Sequence, residues 1–190
     1  FYSSIDVAGR YSYVNQPKIA HWNLIRLAEA LLPLIDGDQT KAIGAVKEVF
    51  EGFEKTFKES WTKMLLNKIG LNEKNTTNEK ILNKLLFLME NKSADYTNTF
   101  LYLTYNKFGD NSFFREGDFI EWHGLWKSVL GNDETRLGIS FDLMKKSNPS
   151  VIPRNHLVEA VLKEAENKNF DPFKKLLKAL ESPYQKNEDL

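Results

Sequence analysis

The sequence predicts an all-α chain, and three observations carry that expectation. From about Thr40 to Ile69, apolar residues (Ile43, Val46, Phe50, Phe53, Phe57, Trp61, Met64, Leu65, Ile69) recur every three or four positions, which a strand cannot produce. No segment alternates apolar and polar residues convincingly enough to form a sheet. Capping residues, prolines and glycines punctuate the apolar-periodic stretches where helices should start and stop. Together these features predict a single domain of seven or eight helices packed ridge into groove.

Residues 1–16 read as irregular and 17–182 as the helical domain, with a polar tail over 183–190 that frays from Gln185. Pro17 suits a first helical position, because its missing N–H would have had no intrahelical partner there. It should also push Gln16 out of the α region, so that the loop arrives extended. The first helix is expected from Pro17 to Leu32, burying Trp22, Leu24, Ile25, Leu27, Ala28, Leu31 and Leu32 and broken by Pro33 and Asp36-Gly37-Asp38. The 40–69 stretch, capped by Asp38 or Thr40, should bend or break near Gly52 and end at a left-handed Gly70. Thr76 and Glu79 form a capping-box pattern ahead of Ile81, Leu82, Leu85, Leu86, Leu88 and Met89.

Asp95 should cap a helix over about 96–106. After an irregular 107–117, a helix from Asp118 to Leu130 is expected to turn Phe119, Ile120, Trp122, Trp126, Val129 and Leu130 inward. Asp133 caps the next, to about Lys146. Pro149 and Pro153 bracket a segment that should be extended. Asn155–Asn167 is expected to be helical, and Asp171-Pro172 should open a last helix that stops at Ser182-Pro183.

Bulk chemistry narrows the function classes. Lys plus Arg and Asp plus Glu are 26 each, so the chain lacks the basic surplus of a protein that lives on phosphate backbones, and nucleic acid is not an expected partner. There is no cysteine, which removes disulfides and thiolate chemistry and fits a reducing, cytoplasmic setting. No apolar run approaches the length of a membrane span, and no signal-peptide pattern opens the chain. A start at Phe1 rather than Met reads as part of a longer polypeptide.

No glycine pair has G-x-G spacing, and no Gly-Lys-Ser/Thr follows any glycine, so a phosphate loop is not expected. Phe108-Gly109-Asp110 has the letters of a kinase metal motif in the wrong order. His21, His123 and His156 are far apart, and Asp36-Gly37-Asp38 and Asp110-Asn111-Ser112 lack the spacing of a calcium loop, so turn formation accounts for them. Ser3, Ser4 and Ser140 sit in no nucleophile-elbow pattern. No catalytic, cofactor-binding or metal-ligating residue is therefore assigned.

The stretch Gly9-Arg10-Tyr11-Ser12-Tyr13-Val14-Asn15-Gln16-Pro17, its Trp22-Asn23 helix and Arg26–Pro33 resemble the selenoprotein O family, also called YdiU. So do Asp95–Phe100, Asn148-Pro149 and Ile152-Pro153-Arg154-Asn155-His156. The resemblance covers nearly all 190 residues but only the C-terminal part of a family member. It implies a kinase-like protein that moves AMP from ATP, with magnesium, onto protein hydroxyls. It also implies that the phosphate loop, the ATP-pairing lysine, the catalytic aspartate and the metal-holding residues all precede the Gly-Arg-Tyr motif. Residues 1–16 would then resemble the end of an activation loop, and the rest the helical C-lobe side. Arg10, Tyr11, Asn15, Gln16, Arg154, Asn155 and His156 would be structural or lobe-interface residues, and the partners the upstream nucleotide-binding lobe and protein substrates. The redox control implied for bacterial members has no cysteine to use here. The alternative is a self-sufficient helical module whose Trp61, Trp122 or Trp126 line a protein-binding groove.

Overall fold

A computed structural model describes residues 5–185. The expectations for Phe1–Ser4 and for residues 186–190 of the tail lie outside it. Among the described residues there is no strand, and nine α-helices and two 3-10 turns account for the regular structure. The α-helices are α1 (Gln16–Ile35), α2 (Gln39–Glu51), α3 (Phe53–Lys68), α4 (Thr76–Asn91), α5 (Tyr96–Tyr105), α6 (Gly117–Leu130), α7 (Glu134–Ser147), α8 (Asn155–Glu166) and α9 (Asp171–Glu181). The 3-10 turns are Tyr13–Asn15 and Ser112–Arg115. The all-α expectation is met, and the break foreseen near Gly52 separates α2 from α3. Contacts divide the described residues into two compact units. One runs to Ser60 and includes Asn155–Glu159; the other is Trp61–Arg154 with the residues from Ala160 onward.

In the first unit, Gln16 does not behave as expected. It takes αR angles (φ −52°, ψ −42°) because the 3-10 turn before it hands its N–H to the Ser12 carbonyl (3.1 Å), so the loop winds into α1 instead of arriving extended. Pro33 does not stop α1, which continues to Ile35 with the proline inside its last turn. The ring forfeits the bond to the Glu29 carbonyl, and only two residues of helix follow it to be disturbed. The broad buried face predicted for α1 is also absent, since the helix holds no fully buried residue. A half-covered stripe of His21, Ile25, Ala28 and Leu32 runs along it at spacings of four, three and four. The His21 ring stacks on Phe53 (centroids 4.7 Å, 16°) and lies 5.4 Å from Phe50. Leu24, Leu27, Leu31 and Trp22 are instead exposed.

The second unit holds the apolar core. Leu65 and Leu66 from the end of α3 and Ile69 just beyond it meet Ile81, Leu82, Leu85, Leu88 and Met89 of α4. Phe100 and Leu103 of α5, Phe113 and Phe114 of the 3-10 turn, and Met144 of α7 close over them. On α6, Phe119, Trp122, Trp126 and Leu130 form the buried stripe, and Trp122 and Trp126 stack nearly parallel (5.8 Å, 8°). Ile120, expected to point inward, is exposed. At about 100° per residue it lies off the face that Phe119 and Leu130 define.

Three expected caps are in place. Asp38 accepts from Thr40 N and Lys41 N, Asp95 from Asn98 N, and Asp133 from Arg136 N. Two are displaced by one residue. Asn75, not Thr76, caps α4 by accepting from Asn78 N (2.9 Å), and Phe170, not Asp171, precedes α9. Gly70 is left-handed as expected (φ +74°), and a Cβ there would meet Met144 and Ser140 at 3.1 Å.

Candidate functional site

The residues singled out in the sequence fall into two polar anchors, and the structure adds a third polar cluster. The first anchor is the loop before α1. Asp6 folds it by accepting from Arg10 N (2.9 Å) and Tyr11 N (2.8 Å) on separate carboxylate oxygens. Asn15 closes it by donating its side-chain amide to the Gly9 carbonyl (2.8 Å), where a positive φ (+65°) turns the chain. The Arg10 guanidinium lies 4.8 Å from the Trp22 ring centroid and 5.6 Å from that of Tyr11, and Arg26 approaches Trp22 at 5.6 Å. The side chains of Arg10, Tyr11 and Gln16 are exposed, so this loop presents a cation and a ring to its surroundings.

The second anchor is the start of α8. The segment 151–154 is non-helical, as the prolines require, and is held by Ser150 N and Val151 N donating to the Pro183 carbonyl (2.7 and 3.3 Å). Arg154, the residue before α8, grips Asp95 with two parallel bonds (2.8 and 3.2 Å), though 59 residues separate them in sequence. Asp95 therefore does two jobs, capping α5 and pairing with Arg154. The sequence suggested only the cap, because no local pattern links residues so far apart. Asn155 and His156 follow as the first, exposed residues of α8.

The bonds from Arg154 hold the Asp95 carboxyl below the ordinary carboxylate range, and Arg154 is raised in turn. A depressed acid stabilises the fold above its unfolded pKa and loses that contribution as pH falls through its folded value. Both side chains are about one-third exposed (34% and 38%), so Arg154→Ala should cost at most about 1 kcal/mol near neutrality. The gap to wild type in urea unfolding should close below about pH 4. A gap that persists undiminished in acid would assign the loss to packing instead.

The third cluster is largely buried. The Lys68 ammonium, at the end of α3, donates to the Ser147 carbonyl (2.9 Å) and to Asn148 Oδ1 (3.2 Å). It sits 5.3 Å from the Phe100 ring centroid, and burial pushes its pKa down. Asn148, 2% exposed, returns its amide to the Lys68 carbonyl (2.8 Å) and to Thr104 Oγ1 (2.9 Å). Thr104 donates its own hydroxyl to the Phe100 carbonyl (2.7 Å). This network joins the ends of α3 and α7 to α5. Asn148 belongs to a stretch quoted for its resemblance, but its role shows only in three dimensions.

None of the three histidines joins a metal cluster, and among the described residues no group of three or more His, Asp or Glu could hold an ion. His123 packs against Phe108, Phe119 and Trp126, and burial, with Lys127 nearby, lowers its pKa. No helix among the described residues is long and apolar enough to cross a membrane. Trp122 and Trp126 are core residues, 1% exposed, and so line no groove.

Comparison with known proteins identifies the family. A family model described as "Protein adenylyltransferase SelO" matches residues 2–181. The chain is 43% identical over 189 residues to the "Protein nucleotidyltransferase YdiU" of Clostridium perfringens strain SM101, covering 100% of this chain and 39% of that protein. Proteins with the same name from Clostridium beijerinckii (41% identity over 183 residues, 96% of this chain and 37% of theirs) and Bacillus thuringiensis subsp. konkukian (39% over 189 residues, 99% and 39%) are similar along the same stretch. The chain thus spans about two-fifths of the length of these relatives. With a match that runs through both polar anchors, the chain belongs to the SelO protein adenylyltransferase family.

Proposed function

We propose that this chain is the helical scaffold part of a SelO-type protein adenylyltransferase, and that the whole enzyme moves AMP from ATP onto Ser, Thr or Tyr hydroxyls of protein substrates. The observation that carries this reading is the uncovered side of α1. Leu24, Leu27, Leu31 and Leu34 recur at spacings of three, four and three, and they are 41%, 55%, 40% and 83% exposed. An apolar stripe of that regularity is built to be covered. Its occupant in this reading is the nucleotide-binding part of the same polypeptide, within the three-fifths of the relatives' length that lies outside the match.

ATP and magnesium belong to that other part. Two features support that assignment: among the described residues no group of three or more His, Asp or Glu could hold an ion, and the glycines of the sequence have no phosphate-loop spacing. The exposed Arg10–Gln16 loop and the Arg154–His156 junction serve here as the polar contacts of the interface.

The test combines hydrogen exchange with nucleotide binding. Adding the upstream part in trans should slow exchange along α1, and Leu27→Asp should abolish that protection. The isolated chain should take up no labelled ATP. Unchanged exchange along α1 would favour a self-sufficient interaction module, and tight stoichiometric ATP uptake by this chain alone would overturn the scaffold reading.

A further inference from the structure

A cavity of about 400 Å³ opens in the second unit, where the left-handed turn at Gly70 leads past Leu71 to the start of α4. One wall is a single face of α7, with Arg136, Ile139, Ser140 and Leu143 at spacings of three, one and three. That volume falls within the range of small-molecule sites, which combine apolar walls with a few placed polar groups.

The polar groups here are unspent. Asn78, 6% exposed, uses its backbone N–H on Asn75 and its side-chain amide on the Glu73 carbonyl (2.8 Å), while its Oδ1 accepts from no described residue. Ser140, 8% exposed, makes no side-chain hydrogen bond among the described residues. Its neighbour on the same helix, Ser147, does bond back to the Leu143 carbonyl (2.8 Å). Neither oxygen is a buried orphan, so both stay accessible from the cavity, and a ligand seated there could take up an accepting oxygen and a hydroxyl side by side.

At the rim stand two opposite charges that do not pair with each other. Among the described residues, the Arg136 guanidinium reaches only the Val129 carbonyl, at 3.4 Å, and the Glu73 carboxylate makes no ion pair. We propose that this cavity is a binding site for a small zwitterion, a free α-amino acid with an aliphatic side chain. Arg136 and the Ser140 hydroxyl would take its carboxylate, Glu73 and Asn78 Oδ1 its ammonium, and Leu71, Leu130 and Leu143 its side chain. A nucleotide is the poorer fit, because a single guanidinium beside a carboxylate cannot balance several phosphate charges. This site is independent of the adenylyltransferase reading.

The experiment is an NMR titration of the 190-residue chain with L-leucine. Saturable shifts are expected at the amides of Gly70, Asn78 and Ser140, with a Kd of about 1 mM or tighter. N-acetyl-leucine and leucinamide, each lacking one charge, should bind about tenfold more weakly, as should the Arg136→Gln variant. Should that variant unfold, Glu73→Gln in the exposed link gives the same reading. Absence of saturable shifts, equal binding of the two single-charge analogues and leucine, or indifference to both substitutions would each overturn the proposal.

Discussion

Trp126→Ala is expected to lower the unfolding free energy by about 3–5 kcal/mol, the scale for emptying a large aromatic site in a core. Trp126 is 1% exposed, stacks on Trp122 and donates its indole N–H to the Ile69 carbonyl (2.9 Å). That carbonyl lies just past the last residue of α3, where the intrahelical ladder has run out and a buried acceptor needs an outside donor. Trp126→Phe keeps most of the volume but orphans the acceptor, so it should recover only part of the loss and still cost about 1–3 kcal/mol. Urea unfolding followed by far-UV circular dichroism measures both. If the alanine variant loses less than about 1 kcal/mol, the stack and its bond are not what holds α6 to the end of α3.

Asn148→Ala should cost about 2–4 kcal/mol, because one truncation strands three partners. The Lys68 carbonyl and Thr104 Oγ1 lose a donor, and the Lys68 ammonium loses one of its two acceptors. Asn148→Asp should not rescue the fold, since two of the three bonds need an N–H. The pH dependence separates this account from simple cavity formation. Burial already lowers the Lys68 pKa, and removing an acceptor lowers it further. A base depressed in the folded state destabilises that state while it stays charged, and the penalty fades as pH rises through its folded value. The deficit of Asn148→Ala should therefore shrink on the alkaline side. A deficit constant up to about pH 10 would assign it to packing alone.

Most helices were legible because their signals are local. The capping acids at 38, 95 and 133, the left-handed Gly70 and the three-and-four spacing each act within a few residues. Where two adjacent residues could cap, the sequence did not decide. Asn75 displaced Thr76 because Asn is at least as good an N-cap and stands one residue earlier. Exposure was the larger miss. Periodicity shows which face of α1 is apolar, but what covers that face is not a property of the helix itself. The candidate site divides in the same way. Asn15 closing its own loop is a short-range bond that donor-rich residues foretell. The Arg154 grip on Asp95 and the Lys68–Asn148–Thr104 cluster join residues tens of positions apart, so nothing in either stretch alone announces them.

The distribution of tryptophans gives each unit its own optical reporter. Trp22 stands 45% exposed in the first unit, so its emission should be that of a wet indole, more open to quenchers than the half-buried Trp61 at the start of the second. The parallel pair at 122 and 126 in the second is dry and close enough for its transitions to couple, so it should give a near-ultraviolet dichroic band that lasts only while the two rings stay in register. Iodide quenching and that band can thus follow the two units in one sample without any label attached.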